Sequence, residues 1–222
     1  MLNVIWYWLI VRTIRHILLR FFGGIKVYGE KNVPKSGPLL VAANHVSFLD
    51  PPLAASAMPR KIRAMAKKEL FKSLFGKLII SLGAFPVDRG GQDAKSIKYA
   101  IDILKNNEAL LLFPEGTRGD GVTLDPFNPG ISLLARKTNA QILPMGIVGS
   151  HIVWPKNSKK IKRHKMTIAI GKPFTYEEVA IGETEKEKRI AFAKALHQKI
   201  LDLCKNEGMY IDPQKTSVSA NI

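Results

Sequence analysis

Only one cysteine, Cys204, occurs in 222 residues. A lone thiol closes no internal disulfide, so a disulfide-stapled scaffold is excluded, and a reducing compartment fits. No zinc-type Cys/His cluster is present, and no metal site is expected. Acidic residues are scarce: 18 Asp+Glu against 34 Lys+Arg leave a net charge of +16, which favours a polyanion or an anionic membrane as partner. Long apolar runs are also missing. The longest near the N-terminus, Val4 to Val11, falls well short of the ~20 residues that cross a bilayer. No named nucleic-acid motif accompanies the basic charge, and the aromatics gather in the N-terminal segment rather than among the basic runs, so nucleic acid is not expected as a partner. No internal repeat is visible. What remains is 46% hydrophobic, enough for one α/β domain with terminal additions.

Residues 1–24 form the first unit. Arg12, Arg15, His16 and Arg20 recur at helical spacing, Trp6 and Trp8 suit the lipid headgroup level, and Ile14, Leu18, Leu19, Phe21 and Phe22 supply apolar surface. The pattern predicts one or two interfacial helices lying in one leaflet, a monotopic anchor on the cytoplasmic face of the inner or plasma membrane. A helix docked on the domain is the alternative. A signal peptide fits poorly, because no basic residue precedes the apolar run and no small-residue cleavage site follows it.

Residues 25–210 interleave strands and helices. Strands are expected at 25–29, 39–43, 62–66, 109–113, 141–147 and 166–170. Helices are expected after Asp50, over Leu70 to Ile79, after a cap at Asp93, after Pro129-Gly130, and behind the capping-box pair Thr184 and Glu187. Cys204 falls within this last helix as a packing residue. Pro144 inside an apolar strand suggests an edge or a bulge. The alternation implies a mostly parallel or mixed central sheet flanked by helices, with 211–222 as a loose polar tail.

The chemistry gathers at strand ends. Leu39 to Ala43 runs into Asn44-His45, and Asp50 precedes Pro51 at an expected helix start, where it reads as an N-cap. Five residues on one helix would set the pair about 140° apart, so a turn is needed to bring them together. An imidazole oriented by a carboxylate is the minimum kit for a general base; the alternative is a mere cap beside an ordinary loop histidine. Arg89, beside Gly90-Gly91, and Arg118, after Glu115-Gly116-Thr117, also follow strand ends. Guanidinium forks and glycine-exposed N–H groups match phosphate oxygens.

Four ordered blocks strengthen this reading. Asn44-His45-Val46-Ser47-Phe48-Leu49-Asp50 resembles the NHxSxxD block of the glycerolipid acyltransferase family. Gly83 to Arg89 is similar to its second block, Phe113-Pro114-Glu115-Gly116-Thr117-Arg118 to its FPEGTR block, and Ile142-Leu143-Pro144-Met145 to its fourth. Within that family the lysophosphatidic acid acyltransferase branch is most similar. Val46 and Gly119 depart from that branch's usual glutamine and serine.

The resemblance implies that His45 is the base and Asp50 its partner. It implies that Arg89, Glu115, Gly116, Thr117 and Arg118 hold the glycerol phosphate, and that Pro144 shapes the acyl-donor side. It also implies lysophosphatidic acid as acceptor, acyl-CoA or acyl-acyl carrier protein as co-substrate, and no cofactor. Direct transfer without an acyl-enzyme follows from the lack of a Ser or Cys nucleophile elbow. A hydrolase using the same pair on water is the competing enzyme class; it would not need the arginines. The basic run Lys159, Lys160, Lys162, Arg163 and Lys165 is either a solvated loop or a surface that touches lipid or donor.

Overall fold

Among the described residues, seven strands form one mixed sheet. They are β1 (Ile25–Tyr28), β2 (Leu39–Ala43), β3 (Ile62–Lys67), β4 (Phe85–Val87), β5 (Ala109–Leu112), β6 (Gln141–Val148) and β7 (Met166–Ile170), in the order β1-β7-β6-β2-β5-β3-β4. The computed structural model describes residues 2–72, 74–87, 94–158 and 160–210. Arg89, the expected cap Asp93, Lys159 and the tail 211–222 therefore lie outside the described residues. Every neighbouring pair is parallel except β6 with β7. The central strands are apolar throughout because both faces are covered. One face carries Leu40, Ala42, Leu110, Leu112 and Ile142 against α4 (Ala94–Lys105), α5 (Ile131–Thr138) and α7 (Glu185–Lys205). The other carries Leu39, Val41, Leu111, Leu143 and Met145 against α1 (Leu2–Phe21) and α2 (Asp50–Ala57). Thr184 and Glu187 close the expected capping box at the start of α7.

The N-terminal segment is one helix rather than two. Tyr7, Val11 and Leu18 are buried, and the Arg15 guanidinium donates to the Ser56 carbonyl at 2.9 Å. Burying such side chains stabilises the docking by about 1.5–3 kcal/mol each. α1 is thus docked on the domain along one stripe, and Arg15 does not share an outward basic stripe with Arg12 and Arg20, which are exposed. The outward face is apolar in the first half, at Val4, Ile5 and Leu9, and mixed in the second, where Arg12, His16 and Arg20 are exposed beside Ile17, Leu19 and Phe21. Among the described residues, no helix is long and apolar enough to cross a membrane.

Pro144 sits in a central strand, not at an edge. It pairs with Ala42 of β2 on one side. On the other side the β7 ladder ends at Met145 with Ile170 and resumes at Ile142 with Phe174, so the facing chain holds one residue more there. That bulge falls where Pro144 has no N–H to give. The expected helix from Leu70 to Ile79 is likewise divided, into a 3-10 turn at Lys68–Lys72 and α3 at Leu74–Ser81.

Candidate active site

The three adjacent strands β6, β2 and β5 run parallel, and the loops leaving their C-terminal ends meet there. In sheets of this kind ligands bind at such ends. β2 delivers Asn44 and His45, β5 delivers Phe113 to Gly119, and β6 delivers Gly149 and the short α6 (Ser150–Val153).

The Nδ1 atom of His45 lies 2.9 Å from Oδ2 of Asp50. Asp50 is the first residue of α2 and does not cap it; Leu49 holds the N-cap position, with no side-chain cap bond. The Asp50 carboxylate turns back instead into the loop that precedes it. Its Oδ2 accepts from the backbone N–H groups of Val46 at 2.6 Å and Ser47 at 2.7 Å, and its Oδ1 from the Ser150 hydroxyl at 2.6 Å. A fully buried carboxylate with this many donors is fixed in orientation. It orients Nδ1–H and leaves Nε2 of His45 as the acceptor. Phe113 stacks on the imidazole with centroids 4.1 Å apart and planes 20° apart, which restrains its rotation. His45 itself keeps 19% of its side chain exposed, so the free nitrogen is reachable.

Two further clamps hold the His45 backbone. Its N–H donates to Oε1 of Glu115 at 2.6 Å, and its carbonyl accepts from Gly119 N–H at 2.7 Å. Glu115 is therefore spent on the loop rather than turned to solvent. Its Oε2 is buried without a hydrogen bond, and burial pushes its pKa up to about 8 against the opposing pull of the His45 N–H. A carboxyl in that position gives a phosphate no favourable charge. Gly116 and Thr117 are exposed at the tip of this loop, where Gly116 adopts φ +71 and donates to the Phe113 carbonyl. A left-handed residue makes this reversal, and glycine does so without a Cβ penalty.

Arg118 is half-buried, with its guanidinium carbon 3.7 Å above the Phe48 ring. It also donates to the Lys156 carbonyl, while the Lys156 ammonium donates to the Arg118 carbonyl. Stacking leaves the planar fork presented beside the histidine loop. Pro144 is not brought to this group. It is buried beside Gly171 and pairs with Ala42, three residues short of His45, about 10 Å along the sheet.

Several site residues escaped the sequence reading. Ser150 acts on Asp50 from 100 positions away, and nothing local marks it. Asn44 exchanges two hydrogen bonds with the Ile147 backbone and reaches the Tyr210 hydroxyl, and Ser47 donates to the Trp154 carbonyl. The invariable feature of these bonds is direction: each ties the histidine loop to segment 147–154 or to Tyr210, beyond the end of α7. Phe113 was visible as a strand-end residue within the third block, but not as a stacking partner. Cys204 is buried and its thiol is pushed up by burial, which suits packing and not nucleophilic chemistry. A cavity of about 580 Å³ is lined by Lys26, Tyr28, His151, His164, Lys165 and Tyr210 among others, and His45 is not among its lining residues.

Residues 24–148 match a family model described as Acyltransferase. A 1-acyl-sn-glycerol-3-phosphate acyltransferase of Bacillus subtilis is 33% identical over 190 residues, covering 84% of this chain and 92% of its own. One from Saccharomyces cerevisiae is 30% identical over 214 residues, covering 90% of this chain and 67% of its own. A crystal structure of the 1-acyl-sn-glycerophosphate acyltransferase of Thermotoga maritima superposes with a TM-score of 0.70 at 25% identity, covering 89% of this chain and 81% of that one.

Proposed function

The chain belongs to the acyltransferase family, and from that premise we propose that it moves a fatty acyl group from a thioester donor to the sn-2 hydroxyl of 1-acyl-sn-glycerol-3-phosphate, giving phosphatidic acid. The observation that carries the mechanism is the His45–Asp50 pair, with the carboxylate buried and saturated and the imidazole open on one side. A lipid hydroxyl is too weak an acid to ionise at neutral pH. Nε2 of His45 takes its proton as the oxygen attacks the thioester carbonyl. The new C–O ester bond forms, the C–S bond breaks, and the proton passes from the imidazolium to the departing thiolate. Water is not needed at any step, and no acyl-enzyme forms.

Arg118, stacked on Phe48, holds the acceptor's phosphate in this reading, together with Arg89 and the exposed tip at Gly116 and Thr117. Holding that end orients the hydroxyl, and not the phosphate, toward the base. Glu115 is assigned to fastening the His45 loop instead of to the substrate. The donor is acyl-CoA or acyl-acyl carrier protein. Residues 25–210 form the catalytic domain, and residues 1–24 seat it on a membrane as a monotopic anchor at the cytoplasmic face. The exposed Ile5, Leu9 and Phe21, interspersed along the helix with Arg12 and Arg20, support the seat: apolar surface for the leaflet and cations for its headgroups.

Purified protein is tested against a panel of acyl donors and lysophospholipids by mass spectrometry. His45→Ala lowers kcat by about 10²–10⁴-fold with vesicle binding unchanged. Arg118→Ala raises the KM for the lysophospholipid more than that for the donor. Near-normal turnover in the first variant, or unchanged KM values in the second, refutes the corresponding role.

A further inference from the structure

α3 is an apolar helix in which Leu78 and Ile79 are half-buried and no large side chain is fully buried. Its only buried residue is Gly76, which lies against the Phe71 backbone where a Cβ would come within 2.5 Å. No α3 side chain joins either core cluster. Leu74 is 81% exposed, Phe75 56% and Ile80 54%, and Leu70 in the preceding 3-10 turn is 36% exposed. Isolated exposed apolar residues are ordinary, but a contiguous set on one short element is not.

Three observations select what meets this face. The first is charge: the apolar side chains are interleaved with the exposed Lys67, Lys72 and Lys77. Lysines flanking aliphatic and aromatic side chains match an anionic lipid surface, which offers headgroup phosphates around an acyl layer. The second is continuity. Trp6 Nε1 of α1 donates to the Ser81 hydroxyl at 3.0 Å, joining α3 to the part of α1 that exposes Val4, Ile5 and Leu9. The third is position. β3 runs parallel to β5, and β5 parallel to β2, so the turn after β3 and the start of α3 lie at the His45 end of the sheet. β3 is two strands from β2, about 10 Å at the usual strand spacing.

We infer that α3, with Leu70 of the preceding turn, is a second lipid-contacting element, whose Leu74 and Phe75 enter an anionic leaflet beside the mouth of the site. With the first half of α1 it makes a two-part apolar base. A lipid acceptor then reaches His45 laterally from the leaflet instead of through water. The route for the acceptor rests on the acyl-transfer reading above; the contact with lipid does not.

The test is the double variant Leu74→Ser/Phe75→Ser in the full-length protein. Its affinity for vesicles of phosphatidylcholine and phosphatidylglycerol falls by about tenfold or more, while turnover of a short-chain, water-soluble lysophosphatidic acid stays at the wild-type level. An affinity within about twofold of wild type overturns the inference. So does a wild-type dimer that the variant dissolves while keeping its vesicle affinity, which would assign the face to a second copy. If the wild type transfers acyl groups to no lysophospholipid but the variant still loses vesicle affinity, the lipid-contacting element stands and the acceptor reading fails. Leu74→Cys guards against a misfolded double variant. Since Cys204 is buried, Cys at 74 takes an environment-sensitive dye alone. Its emission shifts to the blue on adding the vesicles, and an unshifted spectrum overturns the inference.

Discussion

Asp50 shows how much of the His45 pairing is made by residues outside the pair. Its two oxygens take four donors, and one of them, the Ser150 hydroxyl, comes from another loop. Ser150→Ala leaves Oδ1 buried without its partner, a cost of about 1–3 kcal/mol. The expected result is a fall in kcat of about tenfold with little change in either KM, and recovery in Ser150→Thr, read by steady-state kinetics beside thermal melts. Glu115 carries a different signature. Its folded pKa, raised to about 8 from an ordinary 4.5, lies above the unfolded value. The folded state thus keeps a proton that the unfolded chain gives up, and stability falls as pH rises from about 4.5 toward 8, then levels. Glu115→Gln removes that titration while keeping an acceptor for the His45 N–H. It should melt increasingly above wild type as pH goes from 5 to 8, at about 2–4 °C per kcal/mol for a chain of this size, and keep activity within about tenfold. A melting difference that does not change with pH would show that the carboxyl is not held neutral.

At the scale of elements, α1 has two faces that one helical period accommodates. Tyr7, Val11 and Leu18 belong to the fold, whereas Ile5 and Leu9 face outward. Deleting the whole segment would strip the core of the sheet face it covers, so a point variant is the cleaner probe. Ile5→Asp/Leu9→Asp should leave the melting temperature within a few degrees and weaken binding to anionic vesicles by about tenfold or more, measured by co-sedimentation. Unchanged sedimentation would remove α1 from the membrane contact. The same division explains why hydrophobic periodicity was only half informative here: it located α1 and α3 but did not separate the side chains that meet the sheet from those that do not. In α3 the folded chain half-buries Leu78 and Ile79 and leaves Leu74, Phe75 and Ile80 outside.

For the molecule as a whole, the charge of +16 acts at a distance. Raising salt from about 0.1 M to 1 M shortens the screening length from about 10 Å to about 3 Å. Vesicle binding should weaken steeply over that range, while kcat on a water-soluble acceptor stays within about twofold, because the His45–Asp50 bond is short and shielded from solvent. Salt-insensitive vesicle binding would assign the attachment to apolar contact alone. The alternation of strands and helices, the parallel central sheet and the strand-end position of His45 were all legible in the sequence, since apolar runs and capping residues are local signals. Asp50 was legible as a partner but misread as a cap, because its carboxylate turns toward the preceding loop, a direction that dihedral angles decide and residue identity does not.

The sequence alone determined the elements, the chemical parts of the site and the family to which they belong, because each rests on residues close together in the chain. Only the tertiary structure decided what those parts do for one another. It recruited Ser150 to Asp50, turned Glu115 inward onto the His45 backbone and seated Pro144 over a bulge inside the sheet. It also left Leu74, Phe75 and Ile80 of α3 uncovered. Those outcomes depend on which strand lies beside which, and strand order is set by burying both faces of the whole sheet at once, a constraint no local stretch contains.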